Sequence, residues 1–380
     1  MKIFYLINTL GAGGAERSTA ETAKYALKHG HQVTIIYLHK KPISIEEEIK
    51  DAGIRVIHLR ASNFVKRVFA LRKLLKAERP DIVHSVLFDS NVLIRVVKFF
   101  LPRQKVIQSL VNTPYSEIRI KHAGLPRYKF KIVQLADMLT ARLSQSHYHA
   151  ITTTVLEHYR PMFNIKKDQS FLVYRGRGEN RHRDSRAAIR ERLKFGNDFV
   201  FVSVGRQEFA KGHILLLQAI NKLVKESNGP VAAKLIFLGR EGSKSNELKR
   251  FVQAHDLSAY VSFLGFRSDV EEILVAADAF AFPSYYEGLG GALVEALAAG
   301  LPVICSDLPV LKEVIGSEEG ALFVETGNSQ DLAKAMQRMM ADETLRARLS
   351  QYSIARYLEA FRQEDIYSQM LSMYSSVSAY

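Results

Sequence analysis

The chain has 380 residues, more than the roughly 250 to 300 at which a single hydrophobic core stops growing, so two domains are expected. Its 47% hydrophobic and 24% charged residues are ordinary globular proportions and exclude wholesale disorder. The formal net charge of +14 falls entirely within the first 160 residues, which hold 26 Lys and Arg against 12 Asp and Glu, a one-sided field suited to a polyanion or to anionic lipid headgroups.

In chain order, KIFYLIN reads as a buried first strand, because its apolar run of about nine residues is too short for a signal peptide. The loop Gly11 to Ala15 then opens a helix running to about Lys28 and offers bare amides to a phosphate. A dinucleotide fingerprint would want glycine where Glu16 stands and an acid after the second strand, which instead ends YLHK, so a nicotinamide dehydrogenase is disfavoured. The loop is then either kept small for close approach to a ligand or a structural tight turn. Next come QVTIIYL, IRVIHL, DIVHSV, KVIQSL and HAITTT, alternating with helical patterns as βαβ units do. Three basic stretches carry apolar residues among their charges: Phe64 to Lys76, Val92 to Lys105 and Ile118 to Val133. They read as amphipathic domain helices with solvated basic faces, or as elements resting on an anionic membrane surface. No zinc-finger, RNP-like or helix-turn-helix signature accompanies them, so nucleic acid is not expected as a partner.

Tyr174 to Asn197, rich in glycine and arginine, reads as a linker into a surface helix, with the domain boundary near 180. The second half repeats the theme with FVFVSVG, AKLIFLG, VSFLGF, AFAFP, PVICS and ALFV, and turns wholly helical after Ser329. The expected division is 1–178, 179–358 and a C-terminal helical segment 359–380. Cys305 is the one cysteine, which excludes an intramolecular disulfide or a cysteine metal site and points to a reducing compartment. No stretch approaches the roughly 20 apolar residues of a membrane span.

Two groups of residues carry chemistry. Arg206 follows a strand and Lys211 opens the next helix, so both charges face the crevice at the strand ends, where fixed cations stabilise a departing diphosphate. Taken alone they could equally be solvated surface charges. In AFPSYYEGLGGALVE a strand ends at Pro283, Glu287 precedes Gly288, Leu289, Gly290 and Gly291, and a helix carries Glu295. That spacing lets one carboxylate meet a sugar and the other a ribose. A helix-surface role for Glu295 is the plainer reading.

With GGAE near the N-terminus, VGR followed by KG, and PSYYEGLGGALVEALAAGLPVICSD, the whole chain resembles the retaining glycosyltransferases of family four. The resemblance implies an α/β GT-B fold: two Rossmann-like domains whose parallel sheets face across a deep crevice, acceptor on the first, donor on the second, and a C-terminal helix crossing back. It implies a nucleotide-diphosphate sugar, UDP-linked in the first instance, moved to a saccharide or lipid-linked acceptor in surface polysaccharide or glycolipid synthesis. It implies that Arg206 and Lys211 bind the diphosphate and Glu295 the ribose, and that Glu287 lies by the donor sugar. The amides from Gly288 through Leu289 and Gly290 to Gly291 would contact sugar or phosphate, Phe266 the base, and Gly13 and Gly14 the phosphates from the other side. Where relatives often carry a histidine near the reacting sugar, this chain reads QSLVNTPY, leaving Asn112 and the strand-end His84 as acceptor candidates.

Front-face attack, with the leaving phosphate taking the acceptor proton, is the route the resemblance implies, and no cofactor or divalent metal is expected. Glu287 as a covalent nucleophile is its rival. A nucleotide-sugar epimerase of similar build, or a non-catalytic basic lipid- or nucleic-acid-binding protein, are the alternatives from other classes. The enzyme is expected in the cytoplasm, peripheral on the inner face of the cell membrane through its basic first half.

Overall fold

The computed structural model describes residues 1–11, 13–122, 126–180, 182, 185–227 and 231–379. The chain divides into two compact units, one of Met1–Gly176 with Glu364–Tyr380 and one of Arg177–Gln363.

The first unit is built on seven strands, β1 (Lys2–Thr9), β2 (Gln32–His39), β3 (Arg55–His58), β4 (Ile82–Val86), β5 (Lys105–Leu110), β6 (His147–Ala150) and β7 (Ser170–Leu172). Their order is β3-β2-β1-β4-β5-β6-β7, and every pairing is parallel. The first strand reads as a continuous apolar run because helices cover both faces. Ile3, Tyr5 and Ile7 pack with Ala20 and Ala23 of helix Gly14–Lys28 and with Met370, Met373 and Tyr374 of helix Gln363–Ala379. Phe4 and Leu6 point the other way, into Leu71 and Leu75 of helix Phe64–Glu78 and Leu93 and Val97 of helix Phe88–Phe100.

Two buried polar arrangements fix this unit. Arg95 forms an ion pair with Asp137 of helix Arg127–Ser144, both all but fully buried, and its Nε donates to Gln108 on β5 at 2.6 Å. Tyr115 donates to the second Asp137 oxygen at 2.6 Å. An ion pair so enclosed is retained only while both partners are present, since removing one leaves a buried charge uncompensated.

The second arrangement is a chain of hydrogen bonds whose direction can be deduced. His149 Nε2 lies 2.9 Å from the Val173 carbonyl, so it carries the proton, and Nδ1 must accept from Ser109 Oγ at 2.9 Å. Ser109, its hydrogen spent, accepts from His84 Nε2 at 2.8 Å, and His84 Nδ1 then accepts from Tyr374 at 2.7 Å. The Tyr5 hydroxyl, 3.0 Å from that of Tyr374, closes the series. Both histidines are neutral, and burial holds both below the usual imidazole range, His149 at about 4. The chain ties helix Gln363–Ala379 to β1, β4, β5 and β6. His84, expected as an acceptor contact, thus has both ring nitrogens engaged inside the unit and offers neither to a ligand.

The second unit holds β8 (Phe199–Val204), β9 (Ala233–Leu238), β10 (Val261–Gly265), β11 (Ala279–Phe282), β12 (Val303–Ser306) and β13 (Leu322–Val324), in the order β10-β9-β8-β11-β12-β13, again all parallel. The order reverses between β8 and β11, the topological switch point at which doubly wound sheets bind ligands. The chain enters and leaves this unit side by side, Arg177 N donating to Phe361 O at 3.0 Å and Gln363 N to Arg177 O at 3.1 Å. Within the stretch 174–197, helix Arg186–Arg192 is pinned to Asp278 by Arg186 and Arg190. Arg181, Arg183 and Asp184 of that stretch, and residues 123–125 of the third basic stretch, lie outside the described residues. Among the described residues no helix is long and apolar enough to cross a membrane.

His149 predicts a pH dependence. Its folded pKa of about 4 lies below the unfolded value of roughly 6.5, so the unfolded chain binds the extra proton and stability falls as pH drops through that window. Denaturant midpoints should decline between pH 6.5 and 4, and His149→Gln should flatten the slope there while lowering stability at pH 7.

Candidate active site

The sheet order sets out the site in the second unit. From one side to the other, the carboxyl ends of β10, β9, β8 and β11 present Phe266, Arg240, Arg206 and the loop from Pro283 to Gly290. Close approach of these ends demands glycine at two points. A Cβ on Gly239, at φ +134°, would lie 2.2 Å from the Gly205 carbonyl oxygen. One on Gly212, at φ +60°, would lie 2.0 Å from that of Pro283. The second contact joins the loop after β8 to the loop after β11, reinforced by the Tyr285 amide donating to Ala210 O at 2.8 Å and by Tyr285 stacking on Phe209 at 4.4 Å.

That junction brings Lys211 to Glu287. Lys211 Nζ lies 2.6 Å from Glu287 Oε1, and Ser284 Oγ donates to the same oxygen at 2.8 Å. The ammonium also sits 5.0 Å from the centroid of the Phe282 ring, and its stem packs over Gly205, where a Cβ would meet it at 3.1 Å. The Lys211 side chain is 24% exposed against 67% for Arg206. The two cations expected together are therefore differently held: Lys211 is fixed among partners, while Arg206 extends into solvent, its Nε 3.7 Å from Glu208. His213, next along and buried, has no hydrogen-bond partner for either ring nitrogen among the described residues. Burial and then the Lys211 charge push its pKa down to about 3.

Helix Gly291–Ala299 starts behind this loop, with Gly290 at φ +83° as its cap and no side chain capping its first amides. Leu289 is buried, so only its main chain can meet a ligand. Glu295 lies one turn into the helix and is ion-paired to Arg177, Nε to Oε1 at 2.8 Å. At the β10 end, Phe266 is exposed and carries the Arg240 guanidinium over its ring at 4.8 Å. Arg177, Ser284 and Arg240 escaped sequence reasoning. Arg177 and Arg240 look like ordinary surface charge in a linear reading, and Ser284 has no motif of its own beyond its place three residues before Glu287.

In the first unit Gly13 and Gly14 stand exposed at the start of helix Gly14–Lys28. Ala12 of that loop lies outside the described residues. The Glu16 carboxylate turns back beside Gly13, its Oε1 accepting from Thr9 at 2.8 Å and its Oε2 standing 2.5 Å from where a Gly13 Cβ would be. A carboxylate there repels phosphate and accepts from hydroxyls, so this loop as it stands suits a sugar hydroxyl better than an anion. Asn112 is half-buried just past the end of β5. Among the described residues no three His, Cys, Asp or Glu come together as around a metal ion.

Twin doubly wound sheets, with cations and carboxylates gathered at the switch point of the second, are a build that glycosyltransferases use. Family models agree: the glycosyltransferase family 4 model matches residues 12–178 and the glycosyl transferases group 1 model matches 184–356, so the chain belongs to the family 4 glycosyltransferases. It is 26% identical, over 91% of its length and 92% of the relative's, to a Campylobacter jejuni N-acetylgalactosamine-N,N'-diacetylbacillosaminyl-diphospho-undecaprenol 4-alpha-N-acetylgalactosaminyltransferase. It is 25% identical, over 74% of its length and 72% of the relative's, to an Escherichia coli UDP-Gal:alpha-D-GlcNAc-diphosphoundecaprenol alpha-1,3-galactosyltransferase. Among solved structures, Anabaena HepE in complex with UDP superposes with a TM-score of 0.84 over 99% of this chain and all of that one, at 19% identity, which establishes the shared GT-B fold.

Gly212→Ala should cost about 1 kcal/mol or more, because it forces a side chain into a left-handed backbone against the Pro283 carbonyl. Thermal denaturation should register the loss, and turnover should fall further than stability does, since Lys211 moves with the turn.

Proposed function

We propose that this glycosyltransferase moves a hexosyl or N-acetylhexosaminyl group, with retention, from a UDP-sugar to a lipid-linked or oligosaccharide acceptor in surface polysaccharide synthesis. The observation that carries the reading is the Lys211–Glu287–Ser284 cluster at the β8/β11 switch point, with the open helix start of Gly291 behind it. Undecaprenol-diphosphate acceptors in the names of the Campylobacter and Escherichia relatives, and the UDP and UDP-glucose complexes of HepE, support the choice of substrates.

In this reading Lys211 and Arg206 neutralise the diphosphate as its bond to the sugar breaks, a preorganised charge that needs no reorganisation at the moment of reaction. The helix start adds amides from Gly288 through Leu289 to Gly291, and the Phe266 end of the sheet takes the base. Two donors already engage Glu287 Oε1, which favours a role in orienting sugar hydroxyls over one as nucleophile, and with it front-face attack. The acceptor falls to the first unit, with Asn112 and the Gly13 loop as its candidate contacts.

The same unit supports docking on an anionic membrane face. Helix Arg127–Ser144 leaves Tyr128, Ile132, Leu135, Leu139 and Leu143 exposed along one side, flanked by Arg127, Lys129, Lys131 and Arg142. Apolar residues with a basic rim are what an interfacial helix requires.

Lys211→Ala should lower kcat by about 10²-fold or more while the donor Kd changes little, and near-normal turnover would remove the cluster from the mechanism. An intact-mass adduct of one glycosyl unit on Glu287 would instead establish double displacement. In flotation with anionic vesicles the protein should rise with the lipid and Leu135→Asp/Leu139→Asp should remain below. Equal binding to neutral vesicles would count against the docking reading.

A further inference from the structure

Arg177 was unremarkable in the sequence, one of several arginines in the run that joins the two halves, yet its side chain lies in the candidate donor site. Its Nε donates to Glu295 Oε1 at 2.8 Å. Its Nη2 fills the space over Gly291, where a Cβ would come within 2.5 Å of it, so the guanidinium lies across the first turn of helix Gly291–Ala299. Gly291 and Glu295 are four residues apart and share that face.

A cation there faces the positive end of the helix dipole, an unfavourable position unless anions compensate it. Glu295 supplies one such charge and is itself about one-third exposed. The backbone of Arg177 is held at three points: its N–H donates to Phe361 O at 3.0 Å, and its carbonyl accepts from Gln363 N at 3.1 Å and from the buried Tyr357 hydroxyl at 3.0 Å. The pinned backbone fixes where the side chain begins, and the bond from Nε to Glu295 fixes where the guanidinium lies. Among the described residues Glu295 has no other partner, which leaves Oε2 to accept from a ligand.

We infer that Arg177 is a positioning residue of the donor site: it orients the Glu295 carboxylate so that Oε2 accepts from the ribose hydroxyls of the nucleotide, and it adds positive charge at the helix start. The inference rests on the reading of this site as the donor site. It assigns a function to the place where the chain enters the second unit, a place whose composition suggests only a linker. A lysine could replace the charge but not the lateral Nε–H that meets the carboxylate.

The test compares binding of UDP and of 2′,3′-dideoxy-UDP to the full-length protein by calorimetry. Wild-type protein should prefer UDP by about tenfold or more, since the analogue offers Glu295 Oε2 no hydroxyl to accept from. Arg177→Ala should cut that preference to about threefold or less, and Arg177→Ala/Glu295→Gln should lose no more of it than Glu295→Gln alone. Arg177→Lys, which keeps the charge, should recover overall UDP affinity without recovering the preference, and it serves as the reporter should the alanine variant fail to fold. A residue that merely braces the fold would lower the melting temperature and leave the preference intact, and that result overturns the inference. Wild-type protein that binds UDP, GDP and ADP equally poorly would overturn the donor-site reading and this inference with it, whereas firm UDP binding indifferent to the ribose hydroxyls overturns the inference alone.

Discussion

Gly212 and the Pro283 carbonyl approach so closely that no side chain fits between them, and the chemistry of the second unit depends on that approach. It draws the loop after β8 against the loop after β11, so that Lys211 on one meets Glu287 on the other, 76 residues away in sequence. The sheet makes the approach possible because its strand order reverses between these two strands. Without the glycine a Cβ would meet the Pro283 carbonyl oxygen at 2.0 Å and force the two loops apart, and the ammonium would lose its place over Phe282.

The first unit solves a different problem. Its strongly basic sequence has to expose charge without losing its core, and it does so by enclosing one arginine completely. Arg95 is satisfied by Asp137, Gln108 and the face of Phe163, which anchors helix Arg127–Ser144 through its inner side and leaves its apolar outer side free. The neutral chain from Tyr5 to Val173 performs the corresponding task for the last helix. It joins residues from the two ends of the polypeptide by hydrogen bonds whose donors and acceptors run in one direction, so each group is satisfied only if every other keeps its proton in place.

The alternating apolar runs and helical patterns show in the sequence that both halves are built on parallel sheets, because strands buried on both faces must be apolar throughout, as Ile3 to Ile7 are. The glycines and carboxylates from Glu287 to Glu295 were legible for a similar reason: a tight loop feeding an uncapped helix requires particular residues at particular spacings. A strand-end histidine such as His84 looks the same from sequence whether it faces a ligand or, as here, a tyrosine 290 residues away.

What the sequence determined alone was the local vocabulary: two βαβ series, an excess of positive charge confined to one of them, and a set of site residues recognisable by their neighbours. Tertiary structure decided which of those residues touch. It paired Lys211 with Glu287, left Arg206 in solvent, closed both nitrogens of His84 and carried Arg177 from an arginine-rich run to the side of Glu295. The physical reason is that propensity and burial are properties of short segments. A hydrogen bond between distant residues is fixed by strand order and by how closely two backbones can approach, and no short segment records either.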